Sequence, residues 1–303
     1  MALASPRFAR IVKILAVAIT MALLGLGIVN ALAVAPANPA FERAWARTDR
    51  PVTDGEALRT WMWGPEANTG AIPEQYAESP GGVRIVQYYD KSRMEITSPD
   101  ASQDSPWYVT NGLLVNELIS GRAQIGHALF QVRQPAANIN VAGDPDDPNG
   151  PTYATFGAVL DAPPLADGAA ITQRIARDGA VSNDPSLAAE GVTAAYRVQA
   201  GDIDHQIASP FWEFMTSEGI VYEDGKFIED LLFENAFYAT GYPISEAYWA
   251  SVKLQGAVQD ILIQCFERRC LTYTPGNVPG WEVEAGNVGQ HYYLWRYPDG
   301  ATP

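Results

Sequence analysis

Two segments of the chain align with each other without gaps. Residues 83–97 read VRIVQYYDKSRMEIT, and residues 260–274 read DILIQCFERRCLTYT. Each has an apolar stretch, a short charged loop and a second apolar stretch, a pattern that is typical of a β-hairpin. Upstream, Asn38 and Ser209 each precede a proline, as expected of an N-cap followed by the first helical residue. The sequence therefore predicts two copies of one helix-plus-hairpin module.

The duplication sets the predicted domain boundaries. We expect repeat module 1 at 38–132 and repeat module 2 at 201–303, packed together because repeat units seldom bury their apolar faces alone. Between them, at 133–200, the stretches ANINVA, PTYATFGAV, AAITQRIAR and GVTAAYRV suggest four or five short strands. These predict a small β-sandwich-like insert. The expected fold class is mostly β (α+β).

The first 37 residues have the pattern of a targeting signal. Basic residues precede an uncharged apolar run over 14–35, which ends in small residues. This pattern predicts a secretory signal peptide, with cleavage candidates at 31–33 and 35–37. The alternative is an uncleaved N-terminal anchor, since the run is about 20 residues long. In either case we expect an extracellular or cell-surface location, with membrane contact only through this segment.

The net charge limits the partners of the exported part. The chain has 35 acidic and 20 basic residues, a formal net charge of −15. Nucleic acids require a basic surface, so a nucleic-acid partner is not expected.

Both cysteines fall in the second predicted hairpin. Cys265 and Cys270 enclose four residues, so they lie opposite each other if those four residues form the hairpin loop. Disulfides persist outside the cytoplasm, and we predict one here. The aligned positions of the first hairpin are Tyr88 and Arg93, where a cation–π contact could take the place of the disulfide.

Aromatic residues are the strongest indication of a ligand. The second module is rich in Trp, Tyr and Phe, most of which must belong to the core. Exposed rings flanked by carboxylates and amides would instead suit the apolar faces and hydroxyl rims of sugars. The candidate ligand-binding residues are Trp61, Trp63, Tyr242, Tyr248, Trp249 and Trp281.

Two polar clusters are candidates for ion or acid–base chemistry. Asp144, Asp146 and Asp147 lie in a proline-stiffened loop that could supply oxygen ligands to calcium, or could be a solvated acidic turn. His205 follows Asp202 and Asp204, which would share one face of a strand while His205 takes the other. A carboxylate can orient an imidazole for metal binding or proton transfer, and a polar turn is the simpler interpretation.

Carboxylates alone keep a hydrolase possible. Glycoside hydrolysis needs two acidic groups about 5–10 Å apart across a cleft. The candidates are Asp90, Glu95, Glu267 and Glu282, although linear sequence cannot place them face to face. The sequence has no G-x-S-x-G, H-E-x-x-H, phosphate-loop or EF-hand motif.

Several stretches resemble a secreted protein family of green non-sulfur bacteria. These are QYYDKSRMEIT, TNGLLVNEL, FYATGYPISEAYW, FERRCLTYTP and GNVGQHYYLWRY. Related proteins carry a Gly-Tyr-Pro-Ile turn followed by a Gln-x-Phe-Glu-Arg hairpin, sometimes in several copies. The Gly-Tyr-Pro turn is also similar to the LGFP cell-wall repeats, although the Leu-Gly-Phe-Pro wording itself is missing. The resemblance implies secretion and repetition and assigns no activity.

These observations favour a non-catalytic binding or scaffold protein of the cell surface or envelope. A polysaccharide or cell-wall glycan is the expected ligand. The first alternative is a secreted, carboxylate-dependent hydrolase of glycans or peptides. The second is a surface assembly subunit whose partner is another protein.

Overall fold

The computed structural model describes residues 34–300, in which strands outnumber helices. Most of the predicted signal peptide or anchor, residues 1–37, lies outside the described residues. The α-helices of the described part are α1 (Pro39–Thr53), α2 (Leu114–Ser120), α3 (Tyr153–Gly157), α4 (Ser209–Met215) and α5 (Val288–Arg296). Within 34–300, no helix has the length and apolar character needed to cross a membrane.

The strands form several small sheets, which confirms the predicted mostly-β, α+β class. The strands of the described part are β1 (Ile72–Gln75), β2 (Val83–Tyr88), β3 (Arg93–Ile96), β4 (Thr110–Asn111), β5 (Arg122–Gln124), β6 (Phe130–Val132), β7 (Gln173–Ile175), β8 (Val181–Asn183), β9 (Ala194–Ala200), β10 (Ile203–Ala208), β11 (Glu218–Glu223), β12 (Lys226–Leu231), β13 (Tyr248–Leu254), β14 (Ala257–Cys265), β15 (Cys270–Tyr273) and β16 (Val283–Ala285). Short 3-10 helices lie at Pro80–Gly82 and Pro185–Glu190.

Both predicted hairpins form, each in its own sheet. β1-β2-β3-β4 is a four-stranded antiparallel sheet in which β2 and β3 place Tyr88 opposite Arg93. The six-stranded sheet has the order β16-β15-β14-β13-β7-β8, and β14 and β15 place Cys265 opposite Cys270. In both hairpins four residues separate the facing pair, as the alignment predicts. The remaining strands pair as β5-β6, β9-β10 and β11-β12.

The insert at 133–200 does not form the predicted sandwich. Its strands are β7, β8 and β9; β7 and β8 extend the six-stranded sheet, where β7 runs parallel to β13, and β9 pairs with β10. The stretch PTYATFGAV forms α3 instead of a strand. Thr152 and Thr155 make a reciprocal capping box there, which satisfies the free backbone donors of a helix start.

The two predicted helix starts differ. The Asn38 side chain accepts hydrogen bonds from the N–H groups of Ala40 and Phe41, both at 3.0 Å, which confirms it as the N-cap of α1. Ser209 is wrong as an N-cap, because it is the first residue of α4 and its hydroxyl accepts from the Thr193 N–H. A polar residue before proline therefore marked both helices, but capped only one.

One hydrophobic cluster joins the two hairpins. Val86 and Tyr88 from the first hairpin share this cluster with Ile261, Ile263 and Cys265 from the second. Apolar residues of α2, α3 and α5 complete it. The inner faces of both hairpins therefore stabilise the fold through a common core.

The predicted disulfide is present. Cys265 and Cys270 are joined, with their Cα atoms 4.0 Å apart. At the matching positions of the first hairpin, the Arg93 guanidinium carbon lies 5.7 Å from the centre of the Tyr88 ring. That distance is within the range of a cation–π contact, as predicted.

Candidate functional site

Three of the six candidate ligand-binding aromatics belong to the core. Trp63, Tyr248 and Trp249 are only 2%, 1% and 0% exposed. The indole N–H groups of the two tryptophans are also bonded inside the protein. Trp63 donates to the Ala44 carbonyl and Trp249 donates to the Ile171 carbonyl. Tyr248 and Trp249 therefore stabilise the core and cannot stack on a ligand.

Trp61, Tyr242 and Trp281 keep part of their surface, and Tyr242 belongs to an aromatic row. Its ring lies 5.0 Å from Phe237, which lies 6.1 Å from Trp212, which stacks on Tyr196 at 3.8 Å. Because Trp212 and Phe237 are covered by neighbouring rings, the row offers ring faces mainly at its ends. The sequence did not predict this row, since its members come from β9, α4 and the loop before β13.

A cleft of about 380 Å³ lies between α1, the β11–β12 hairpin and the loop before β4. We call it the α1 cleft. Its aromatic lining consists of the half-buried Tyr108 and Tyr238 and of the buried Trp63 and Phe233. Its charged lining is Arg43, Arg47, Asp104, Glu223, Asp224 and Glu234. This volume lies near the lower end of the range for ligand pockets, about 300–1,000 Å³.

The helix α1 supplies the basic side of the α1 cleft. Ala40, Arg43, Ala44 and Arg47 recur at helical spacing, so two small side chains alternate with two arginines on one helix face. This spacing is a sequence signal that could have indicated the cleft. The small residues leave room above the helix, and the arginines place charge beside it.

Hydrogen bonds fix the walls of the α1 cleft. Arg47 donates from Nη1 to Glu223 at 2.7 Å and from Nη2 to the Leu231 carbonyl at 2.9 Å, which ties α1 to the β11–β12 hairpin. Arg43 donates to the Gln103 carbonyl at 2.8 Å, and the Tyr238 hydroxyl donates to the Val109 carbonyl at 2.8 Å. The cleft is therefore largely preformed.

Beneath the cleft, a buried carboxylate orders the segment that carries Trp63. Asp49 accepts hydrogen bonds from the N–H groups of Met62, Trp63 and Gly64 at 2.7–2.9 Å. Burial raises the pKa of Asp49, and these three bonds partly oppose that rise. Asp49 is therefore a structural support for the cleft wall.

The four carboxylates considered for hydrolysis have separate surroundings. Glu95 is buried in ion pairs with Arg84 and Arg93. Asp90 accepts from the Gln290 side chain and Glu267 accepts from the Tyr242 N–H. None of the four lines the α1 cleft, and Glu282 lines a separate cleft beside α4. These separate surroundings give no support to a catalytic pair among them.

A large shift in a carboxylate pKa occurs in a buried ionic cluster. Its members are Glu74, Arg84, Arg93, Glu95, Glu117 and Arg296. Burial alone would raise the pKa of Glu74, but Arg93, Arg296 and Arg84 lower it to about 2. Three acids balance three arginines, and their side chains are at most 7% exposed. Shifted pKa values can mark functional sites, but these groups are closed to a ligand.

His205 pairs with Glu246, a carboxylate distant in sequence. Its Nδ1 lies 3.1 Å from Glu246, and both side chains are buried. Asp204 turns to the other face of β10, where Arg197 donates two hydrogen bonds to it. The alternation of a strand separates the histidine from its sequence neighbour.

The acidic loop at 144–147 supports a turn. Asp144 accepts from the N–H groups of Gln255 and Gly256 at 2.8 Å, which holds the β13–β14 turn. Asp147 accepts from the Lys253 N–H, while Asp146 pairs with the Lys253 ammonium, each at 2.8 Å. Across residues 34–300, no group of three or more His, Cys, Asp or Glu side chains could hold a metal ion. The three aspartates do not converge, so this geometry gives no support to the calcium prediction.

No protein-family model, curated protein or solved structure matches the chain. The resemblance to the secreted repeat family therefore stays a prediction, and the function is argued from the geometry alone.

Proposed function

We propose that the protein is an exported, non-catalytic binding protein of the cell surface or envelope, with a glycan as its ligand. The observation that carries the proposal is the α1 cleft. It combines aromatic walls with arginine, carboxylate and amide groups at its rim. Sugars present apolar faces and many hydroxyls, which this combination can satisfy.

The acidic groups of the α1 cleft favour binding over hydrolysis. Asp104, Asp224 and Glu234 are exposed, and Glu223 is held by Arg47. A general acid for glycoside cleavage needs a carboxyl group in an apolar setting that keeps it protonated. None of these four side chains lies in such a setting.

Contacts of residues 35–37 favour the cleavage candidate at 31–33 over the one at 35–37. The Gln87 side chain donates to the Ala35 carbonyl at 3.0 Å and accepts from the Ala37 N–H at 2.8 Å. Cleavage within or after 35–37 would remove at least one of these partners. We therefore expect secreted protein to begin at Val34, which the intact mass of the secreted chain would test.

Glycan binding can be tested by affinity electrophoresis and calorimetry with a panel of soluble polysaccharides. Tyr108→Ala and Arg43→Ala should each weaken binding about tenfold or more, because each removes a wall of the α1 cleft. Phe227→Ala is the matched control: Phe227 is an exposed aromatic residue on β12 that does not line the cleft.

Three results would redirect the proposal. Release of reducing ends from a bound polysaccharide would identify a hydrolase. Equal losses in Phe227→Ala and Tyr108→Ala would move the site away from the α1 cleft. No binding across the panel, with the fold intact, would contradict the glycan ligand.

A further inference from the structure

A second, larger cleft of about 700 Å³ lies between α4, the start of β11 and the β15–β16 hairpin. We call it the Arg59 cleft. It shares only Leu232 with the lining of the α1 cleft. Its charged lining consists of one basic residue and four acidic ones: Arg59, Glu190, Glu213, Glu218 and Glu282.

Arg59 is buried without a full set of partners. The residue is 9% exposed, and in the described part of the chain its guanidinium makes one hydrogen bond, from Nη2 to the Thr48 carbonyl at 2.7 Å. Its Nε has no partner. Burying a charge is costly unless it is paired and hydrogen-bonded, so a guanidinium with free donors is a site for an anion.

Nη1 is the nitrogen of Arg59 that a ligand in this cleft can reach, because Nε is buried and Nη2 is bonded to Thr48. A Cβ atom placed on Gly219 would lie 3.7 Å from Arg59 Nη1, and Gly219 itself lines the cleft. Gly219 therefore lies beside the guanidinium and borders the cleft with it. A carboxylate in the cleft could accept a charge-assisted hydrogen bond from Nη1.

The glutamates gather at a different place in the same cleft. Glu190, Glu213 and Glu282 line this cleft together with Tyr273, whose pKa is raised by burial and by these three carboxylates. Arg59 has no carboxylate within ion-pair distance in residues 34–300, and the acidic group that influences it is Asp49, outside the cleft. The cleft therefore has a cationic position and a separate anionic position.

We propose that the Arg59 cleft binds a zwitterion, with the ligand carboxylate on Arg59 and ammonium groups beside the glutamates. A simple anion would meet the repulsion of four carboxylates, and a simple polyamine would leave Arg59 unpaired. An amino acid with a cationic side chain, free or at the C-terminal end of a peptide, satisfies both positions. This inference does not depend on the glycan proposal, since it concerns a separate cleft.

Calorimetry with four probes tests the charge pattern directly. The probes are L-lysine, the lysyl-lysine dipeptide, cadaverine (lysine without its carboxylate) and aminocaproate (lysine without its α-amino group). We expect lysine or the dipeptide to bind at least about tenfold more tightly than cadaverine, because cadaverine has no carboxylate to accept a charge-assisted hydrogen bond from Arg59. Tighter binding of lysine would identify a free amino acid as the ligand. Tighter binding of the dipeptide would identify the C-terminal end of a peptide.

Variants assign the two positions. Arg59→Gln should lower lysine affinity about tenfold and leave cadaverine affinity unchanged. If that variant does not fold, Glu282→Gln is the second test, and it should weaken lysine and cadaverine alike. Glu229→Gln is the matched control, because Glu229 is an exposed acid on β12 outside the cleft.

Two outcomes would overturn the proposal. One is equal affinity for lysine and cadaverine, which would show that the carboxylate is not recognised. The other is failure of all four probes to bind, or to raise the melting temperature, at millimolar concentration.

Discussion

The two hairpins share a set of hydrogen bonds but differ in the chemistry of their interiors. In the first hairpin, Gln87 donates to the carbonyls of Ala35 and Thr69 and accepts from the Ala37 N–H. In the second, Gln264 donates to the carbonyls of Gln206 and Ser245 and accepts from the Ala208 N–H. Each glutamine thus joins the segment before its helix to its hairpin in the same way.

The hydrogen bonds of the two hairpin loops are matched as well, and each loop bonds to a helix in the other half of the chain. The Asp90 carbonyl accepts from the N–H groups of Gly289 and Gln290 at the start of α5. The Glu267 carbonyl accepts from the Asn116 N–H at the start of α2. Each loop thus satisfies free donors at the first turn of a helix from the other half. This reciprocity supports the predicted duplication.

Within this shared frame, three inward positions carry opposite chemistry. Arg84, Arg93 and Glu95 of the first hairpin align with Ile261, Cys270 and Thr272 of the second. The first set belongs to the buried ionic cluster, while Ile261 and Cys270 belong to the apolar core. A backbone fixed by its own hydrogen bonds therefore tolerates either interior, provided that every buried charge is balanced.

Removing a central arginine from the ionic cluster should have the largest effect on stability. Arg93 pairs with Glu74, Glu95 and Glu117, so Arg93→Met would leave three buried carboxylates short of positive charge. We expect a loss of about 3–5 kcal/mol in the free energy of unfolding, measured by urea denaturation. The control is Arg197→Met, which breaks an exposed pair with Asp204 and should cost at most about 1 kcal/mol. Similar losses in both variants would contradict the ionic interpretation.

The same cluster should make the stability depend on acid pH. The folded-state pKa of Glu74 is about 2, against an ordinary value of 4.5, so the unfolded chain takes up this proton first as pH falls. The stabilisation by Glu74 is thus complete above about pH 5 and is lost as pH falls towards 2, an effect of roughly 3 kcal/mol. Burial raises the pKa of Glu117, so protonation of Glu117 changes the stability in the opposite direction to protonation of Glu74. The measurement must therefore isolate the effect of Glu74.

Glu74→Gln provides that comparison. Unfolding free energies measured from pH 6 to pH 2 should fall less steeply in this variant than in the unchanged chain. Parallel curves would show that Glu74 is not held charged by the arginines.

Local pattern predicted the hairpins well, because each depends on alternation and on a short loop within 15 residues. The facing of Cys265 and Cys270 followed from that register alone. The burial of Trp63, Tyr248 and Trp249 could not be predicted in the same way. Whether a ring is covered depends on segments distant in sequence, and an aromatic residue has the same local pattern in a core and on a surface.

The candidate clefts were beyond local pattern for the same reason. The α1 cleft forms because α1 lies beside the β11–β12 hairpin. The Arg59 cleft forms because Arg59 lies beside the start of β11, which is about 160 residues away in sequence. The sequence also favoured a strand at 153–157. There the capping box of Thr152 and Thr155 outweighs β-branched character, and the result is α3.

Reducing the disulfide should have a smaller effect than breaking the ionic cluster. Cys265 and Cys270 close a short loop, for which the chain-entropy estimate is about 2 kcal/mol. The double variant Cys265→Ser/Cys270→Ser should therefore lower the melting temperature and still fold. Hydrogen exchange should increase around 265–270 while the first hairpin, 83–97, keeps its protection. Loss of the whole fold would show that the second hairpin depends on its covalent bond.

The smallest predicted effect is the difference in unfolding free energy between alanine variants of the two matched glutamines, Gln87 and Gln264. Gln264→Ala would leave the Ala208 N–H and two carbonyls unpaired between β10 and β14, where water has no easy access, at a cost of about 2–3 kcal/mol. Gln87→Ala removes equivalent bonds, but the segment 34–37 can separate from the sheet and hydrogen-bond to water, so we expect about 1 kcal/mol. Hydrogen exchange at Ala37 should then become fast, while exchange at Ala208 in Gln264→Ala follows global unfolding. Equal costs and equal exchange in the two variants would show that the matched bonds, and not their place in the chain, determine the energy.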